Sequence, residues 1–223
     1  MVLLYHCVSA RSFRPLWMLE ELGAPYELRM LPFPPRALQR SYLEINPLGT
    51  IPFLVDGDTR MTESAAICQY LAERLDPQNL RGLAVRPQEP GFGAWLNGLH
   101  QGEATLTFPQ TIVLRYAHFE PDGRKLPQAA EDYTKWTLAR LRWIDAVLQT
   151  HDFLSADRFT AADISVGYAL MLGELLGLRP QWPKAVAAYW ARLQQREGFQ
   201  RALEAQRAAA LAQGVSPQHP LGP

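Results

Sequence analysis

Several things are scarce in this 223-residue chain, and each scarcity removes a class of protein. There are only 2 cysteines, Cys7 and Cys68. They are too few for a disulfide framework, and neither sits in a CxxC pair or beside a histidine cluster that would hold zinc. A reducing, cytoplasmic setting and no metal are expected. Net charge is absent too: 22 Lys+Arg balance 22 Asp+Glu, and no local run of basic residues supplies the electrostatic footprint that phosphate backbones require. No nucleic-acid partner is expected. The longest apolar candidate, residues 166–178, is interrupted by Glu174 and falls short of the ~20 residues that span a bilayer, so no membrane partner is expected either. The opening string MVLLYHCVSAR carries no charged n-region of a secretory leader.

What is present is a core. Hydrophobic residues make up 48% of the chain, and at this length roughly 70% of the unfolded surface can be buried, enough for one large or two small cores. The first 75 or so positions change period repeatedly. Residues 2–5 form a short apolar run, residues 26–31 place Tyr26, Leu28 and Met30 on one face, and residues 51–55 are apolar again, followed by Asp56-Gly57-Asp58 and residues 59–62. These read as four strands, the last two joined in a hairpin with its turn at Asp56 and Gly57. Helical stretches lie between them at residues 12–22, near 36–43 and at 64–75. The first ends against Gly23 and must hold Pro15 in its opening turn. Residues 76–91 (DPQNLRGLAVRPQEPG) have neither period and read as a linker. Every long segment beyond is helical: 92–116 with a kink expected at Pro109, 128–150, 161–176, 182–194 and 199–210.

Three strings carry chemistry. NPLGTIPFL, residues 46–54, puts a proline at the entrance of an apolar strand. Pro52 fits either a tolerant edge strand or a cis Ile51–Pro52 bond that turns the Ile51 amide and carbonyl outward, free to pair with a peptide-like ligand. TESAAI, residues 62–67, places Glu63 and Ser64 at a helix start. They fit plain capping, and equally the recognition of an amino-acid head group, with helix amides and the serine hydroxyl taking a carboxylate and Glu63 taking the ammonium. YHCVSARSFRPLW, residues 5–17, puts Ser9, Arg11 and Ser12 at the first helix N-terminus, as caps or as donors to a ligand. A thiol with an ordinary pKa near ~8.5 is a few per cent ionised at neutral pH. Lowering that pKa by two units needs about 2.7 kcal/mol. A helix terminus offers about 0.3–1 kcal/mol and a hydrogen bond to a charged acceptor about 1.5–3, so dipole plus one donor suffices.

Taken together, the hydroxyl-bearing turn, WMLEELG (residues 17–23), NPLGTIPFL, TESAAI, the linker and the helical remainder resemble a cytosolic glutathione S-transferase from residue 2 to about 205. The resemblance implies an α/β thioredoxin-like N-terminal domain and an all-α C-terminal domain. It implies glutathione as co-substrate, a small hydrophobic electrophile as the second substrate, and a homodimer. It gives Ile51 and Pro52 the cysteinyl backbone of glutathione, and Glu63 and Ser64 its γ-glutamyl end. Expected bounds are 1–77 for the glutathione-binding domain, 78–90 for the linker, 91–210 for the helical domain and 211–223 for a loose tail. The catalytic position departs from the known patterns. Against the zeta-class Ser-Ser-Cys, Ser9 matches but Ala10 does not. Against the beta-class Ala-Cys-Ser, residues 10–12 read Ala-Arg-Ser, and against the microbial Ser-Arg-Ser the first serine is Ala10. Tyr5 sits near the tyrosine-type position. The expected donor set is the Ser9 hydroxyl, the Arg11 amide or guanidinium, and Ser12. Conjugation is the leading expectation. A glutathione-dependent disulfide reductase or isomerase, or a non-catalytic glutathione-binding module, is the alternative that Ala10 leaves open.

In the helical part, FTAADIS (residues 159–165) has the spacing of a capping box, with Thr160 at the cap and Asp163 three residues on. That makes Asp163 a folding residue and not a general base. Trp95, Leu99 and Cys68 are expected in cores.

Overall fold

A computed structural model of the chain describes residues 1–219 and 221; the last part of the expected tail, at positions 220, 222 and 223, lies outside the described residues. The chain divides into two units, Met1–Arg81 with Gln195–Pro223, and Gly82–Gln194.

The first unit is built on four strands, β1 (Val2–His6), β2 (Tyr26–Met30), β3 (Phe53–Asp56) and β4 (Thr59–Met61). Their order is β2-β1-β3-β4, parallel between β1 and β2 and antiparallel elsewhere. Alternation in VLLYH drives β1 to the centre: Val2, Leu4 and His6 are buried, while Leu3 and Tyr5 are half-buried. Helix α1 (Phe13–Leu22) carries the parallel crossover, with Pro15 in its first turn and Gly23 closing it at φ 65°, a conformation that favours glycine. The hairpin turn falls at Gly57–Asp58, one residue later than expected, because Asp56 pairs with Thr59 and Gly57 takes φ 57°. The single helix expected near 36–43 is two short ones, α2 (Pro35–Leu38) and α3 (Tyr42–Ile45), and α4 (Ser64–Leu75) follows the hairpin.

The last helix, α10 (Glu197–Ala212), belongs to this unit and not to the helical one as the expected bounds had it. Phe199 packs edge-on against Phe13 and Trp17, with ring centroids 5.5 and 4.9 Å apart. Arg196 makes a two-pronged pair with Glu21 at 2.8 Å on both prongs, and a Cβ on Gly198 would lie 2.5 Å from the Glu21 carboxyl carbon. The absence of a side chain there permits the close approach. The tail is not loose at its start. The Gln213 carboxamide accepts from the Met30 amide and donates to the Leu28 carbonyl, both at 2.9 Å, filling main-chain sites on the open edge of β2. Val215 then packs beside Val8, Met30 and Ala210.

The second unit is helical: α5 (Phe92–Gln101), α6 (Phe108–Val113), α7 (Pro127–Leu148), α8 (Ala161–Leu175) and α9 (Lys184–Gln194). In place of a kink at Pro109 there are wide π turns on both sides of α6, at Gly102–Thr107 and Leu114–Phe119. A proline lacks an amide and crowds the carbonyl four residues back, and the wide turn before it gives that carbonyl room. Trp95 and Leu99 are fully buried, and Ser165 Oγ donates to the Leu99 carbonyl at 2.6 Å. The α8 capping box is present: Asp163 accepts from the Thr160 amide at 2.8 Å, and Thr160 Oγ1 accepts from the Ala162 amide at 3.3 Å. Among the described residues no helix is long and apolar enough to cross a membrane, and no group of three or more potential ligands could hold a metal ion.

Candidate functional site

The three strings come together in the first unit. Asn46 begins the loop that carries the NPLGTIPFL string. Its side-chain oxygen accepts from the Leu48 amide at 3.2 Å, its carbonyl accepts from the Gly49 amide at 2.8 Å, and its Nδ2 donates to the Thr50 carbonyl at 2.9 Å. The Tyr42 hydroxyl donates to the same carbonyl at 2.8 Å. Gly49 turns the chain at φ 60°, with Arg36 and Leu43 each 2.8 Å from where a Cβ would stand. The loop therefore arrives at Ile51–Pro52 fully tied, and that bond is cis. Ile51 is buried, yet among the described residues neither its amide nor its carbonyl has a hydrogen-bond partner. Main-chain groups of buried residues are nearly always paired, so an unmatched donor and acceptor side by side mark a place for an added strand.

Ile51 shares an apolar cluster with Cys7, Ala10, Tyr42 and Phe53, which joins the loop to the β1–α1 turn. Ala10 is thus a packing residue here. The α4 N-terminus is joined to α1 by a contact that motif reading did not foresee: Arg14, fully buried, donates from its guanidinium to Ser64 Oγ at 3.1 Å. Among the described residues no side chain caps α4, so Ser64 does not serve as the plain cap the sequence allowed. Its hydroxyl accepts from Arg14 and keeps its own proton to donate. Glu63 is exposed beside it.

The β1–α1 turn sorts the expected donors. Ser9 is half-buried and left-handed at φ 51°, a conformation that costs a non-glycine residue free energy and is found at functional sites. Arg11 is half-buried in the same turn. Ser12 departs from expectation. It is fully buried, and its hydroxyl accepts from the Cys7 amide at 3.2 Å and lies 3.4 Å from the Cys7 carbonyl. Ser12 closes the turn from inside. Cys7 is no nucleophile, since burial pushes its thiol up to about 12; Cys68 is buried and pushed up to about 12 for the same reason.

One side chain that was not foreseen lies at the centre of this turn. Gln206 of α10 accepts from the Ser9 amide at 2.9 Å and lies 3.0 Å from His6 Nε2 and 3.3 Å from Ser9 Oγ. Desolvation lowers the His6 pKa from 6.5 to about 4, against the opposing effect of its Gln206 bond. Between those values the unfolded chain binds a proton that the folded one refuses, so full stability holds above pH 6.5 and is lost as pH falls toward 4. The gap corresponds to about 3 kcal/mol. In thermal melts, His6→Gln is expected to narrow the stability difference between pH 7 and pH 5 by about 2 kcal/mol; an unchanged difference would place the histidine's acid sensitivity elsewhere.

A small mixed sheet with an unpaired main-chain pair at its third strand, followed by a helical unit, defines a thioredoxin-like class of two-unit protein. Comparison with known proteins gives the family. The model of the glutathione S-transferase N-terminal domain matches residues 8–74. Glutathione S-transferase 3 of Zea mays is 30% identical over 209 residues, 89% of this chain and 90% of that protein. The ternary complex of BphK, a bacterial GST, is 26% identical with a TM-score of 0.77, over 91% of this chain and 98% of that one. The glutathione transferase URE2P6 from Phanerochaete chrysosporium, in complex with oxidized glutathione, is 26% identical with a TM-score of 0.79, over 92% and 95%. The chain belongs to the glutathione S-transferase family.

Proposed function

We propose that this protein is a glutathione transferase whose first unit holds glutathione along β3 and the N-termini of α1 and α4, and which joins the glutathione sulfur to a small hydrophobic electrophile. The observation that carries this is the unmatched amide and carbonyl of the buried Ile51. The cysteinyl peptide of glutathione supplies the missing acceptor and donor as one more strand. Pro52 sets the direction of that edge. At the γ-glutamyl end the carboxylate meets the first α4 amides and the Ser64 hydroxyl that Arg14 orients, while Glu63 meets the ammonium. The sulfur then lies at the α1 turn, where Ser9 donates a hydrogen bond to the thiolate with Arg11 beside it; Ser12 supports that turn. Once ionised, the thiolate attacks an electrophilic carbon, forming a C–S bond and expelling the leaving group with its electron pair, or adding across an activated double bond. Thiolate supply and proximity provide the acceleration. Residues 1–77 act as the glutathione domain, the active form is a cytoplasmic homodimer, and no metal takes part.

Calorimetric titration with reduced glutathione, paired with turnover of an aryl halide, tests this. Saturable binding is expected, and Glu63→Gln is expected to weaken it about 10- to 100-fold, the loss of one charge-assisted bond. No heat of binding at millimolar glutathione would defeat the proposal. Binding without turnover of aryl halides, enones, peroxides or disulfides would reduce it to a binding module, and turnover of disulfides alone would favour a reductase.

A further inference from the structure

Gln213 lies at the end of α10 and is itself exposed, yet both arms of its carboxamide are spent on main chain. Oε1 accepts from the Met30 amide and Nε2 donates to the Leu28 carbonyl. Those two groups flank Arg29. They are the pair that one residue of a parallel neighbouring strand would take, the carbonyl before and the amide after the residue it faces. The side chain acts as a strand one residue long, and its own segment holds it there. Gly214 turns the chain at φ 69°, the Val215 amide donates to the Ala210 carbonyl at 2.9 Å, and the Val215 side chain packs beside Leu28, Met30 and Val8.

What Gln213 covers is larger than what it fills. The Leu31 amide donates to the His6 carbonyl at 2.8 Å, so alternation turns the main-chain groups of Glu27 and Arg29 toward β1 and those of Tyr26, Leu28 and Met30 outward. Three outward residues offer three donors and three acceptors, and Gln213 takes one of each. The strand Tyr26-Glu27-Leu28-Arg29-Met30 is also complementary to itself. Laid antiparallel against a second copy about a two-fold axis through Leu28, it sets Leu28 opposite its own counterpart, Tyr26 opposite Met30, and Glu27 opposite Arg29. Residues 26, 28 and 30 then fall at the hydrogen-bonded positions of the antiparallel ladder. Glu27 and Arg29 already pair at 2.5 Å along the strand, so two copies close a square of four charges alternating in sign. Opposite charges across a ladder favour such a register and like charges oppose it. A two-fold contact requires this kind of self-complementarity.

We propose that the β2 edge is a pairing surface for a second copy of this chain, and that Gln213, with Val215 behind it, is the latch that keeps it closed. An edge of alternating main-chain donors and acceptors is a template for another strand, and proteins cover such edges. One exposed carboxamide and one apolar side chain form a cover that can be lifted. The surface is separate from the Ile51 lip, because β2 and β3 lie on opposite sides of β1. The inference therefore does not depend on the reaction proposed above.

The test uses the full chain with the latch removed, as Gln213→Ala and as Gln213→Ala with Val215→Asp, whose charge keeps the segment from its apolar seat. Sedimentation velocity over about a hundredfold range of concentration gives the assembly. The wild type should keep one mass, and the double variant should rise to at least twice that mass at the upper end. Hydrogen exchange gives the register. The Leu28 amide, to which Gln213 makes no bond, should exchange at least about tenfold more slowly in the associated form, with the Tyr26 and Met30 amides protected beside it. Adding Arg29→Glu to the latch variant sets glutamates opposite one another and should abolish the association; adding Glu27→Arg as well restores opposite signs and should bring it back. Gln213→Ala alone loses only two surface bonds and carries the test should the double variant not fold. A folded latch variant that keeps the wild-type mass at every concentration would overturn the inference. So would association that Arg29→Glu leaves undiminished, association that protects amides elsewhere than along β2, or a wild type that pairs through β2 to the same extent.

Discussion

Replacing Asp163 with alanine is expected to be the most damaging single change in the helical unit, lowering stability by about 4 kcal/mol or more and the melting temperature by more than ~10 °C. Asp163 is fully buried, and four donors converge on its carboxylate: the Thr160 amide at 2.8 Å, Thr160 Oγ1 at 3.1 Å, the Leu154 amide at 3.1 Å and the Tyr189 hydroxyl at 2.7 Å. Burial raises its pKa and those bonds pull it back. Removing the carboxyl leaves these donors without an acceptor, each costing about 1–3 kcal/mol if it finds no other partner. Asp163→Asn keeps one acceptor oxygen and should fall between the alanine variant and the wild type. Circular-dichroism melts give the comparison. The same variants separate a folding role from a catalytic one, because the surviving folded fraction should turn over normally per molecule. A stable Asp163→Ala protein with lost turnover would reverse the assignment.

The second large effect is at Ser9. Ser9→Ala should raise the pKa of bound glutathione and lower kcat/KM about 10- to 100-fold near neutral pH, the range that one hydrogen bond to a charged acceptor supports. Because Ser9 is left-handed, alanine keeps the backbone strain that the serine already bears. Ser9→Gly removes the hydroxyl and relieves the strain at once. Both variants should lose activity to a similar degree, although only glycine should recover the stability that the strain costs. Ser12→Ala, by contrast, removes a buried link to the Cys7 main chain and should cost stability while leaving the thiol pKa unmoved. Activity retained in Ser9→Gly would transfer the donor role to Arg11 or to the turn amides.

Much of the fold was legible because it is written in short-range signals. The period of two in residues 26–31, the Gly23 stop, the Pro15 position and the Thr160/Asp163 box each depend on neighbours within a few residues, and each stands where the sequence put it. The candidate site was legible as three strings for the same reason. What the strings do not encode is direction. Ser9 and Ser12 are equivalent by spacing, yet one faces Gln206 and the other the Cys7 main chain. The Arg14–Ser64 link joins positions 50 apart, and Gln206 lies farther still. Helical period gave α10 a buried face but not the partner it is buried against. One signal was there to be read: Phe199, Ala202, Gln206 and Ala210 form the buried stripe of α10, and a glutamine in an otherwise apolar stripe demands hydrogen-bond partners inside. The π turns around α6 had a cue in Pro109, which marks a disturbance without saying whether the helix bends or widens.

Amide hydrogen exchange at Ile51, followed by NMR with and without saturating reduced glutathione, tests most directly whether this lip of the sheet takes a peptide as its next strand. The Ile51 amide should exchange at least tenfold more slowly in the complex, with the Ser64 and Ala65 amides protected alongside it. Saturation that leaves Ile51 exchanging at its free rate, with protection confined to the unit Gly82–Gln194, would contradict the account.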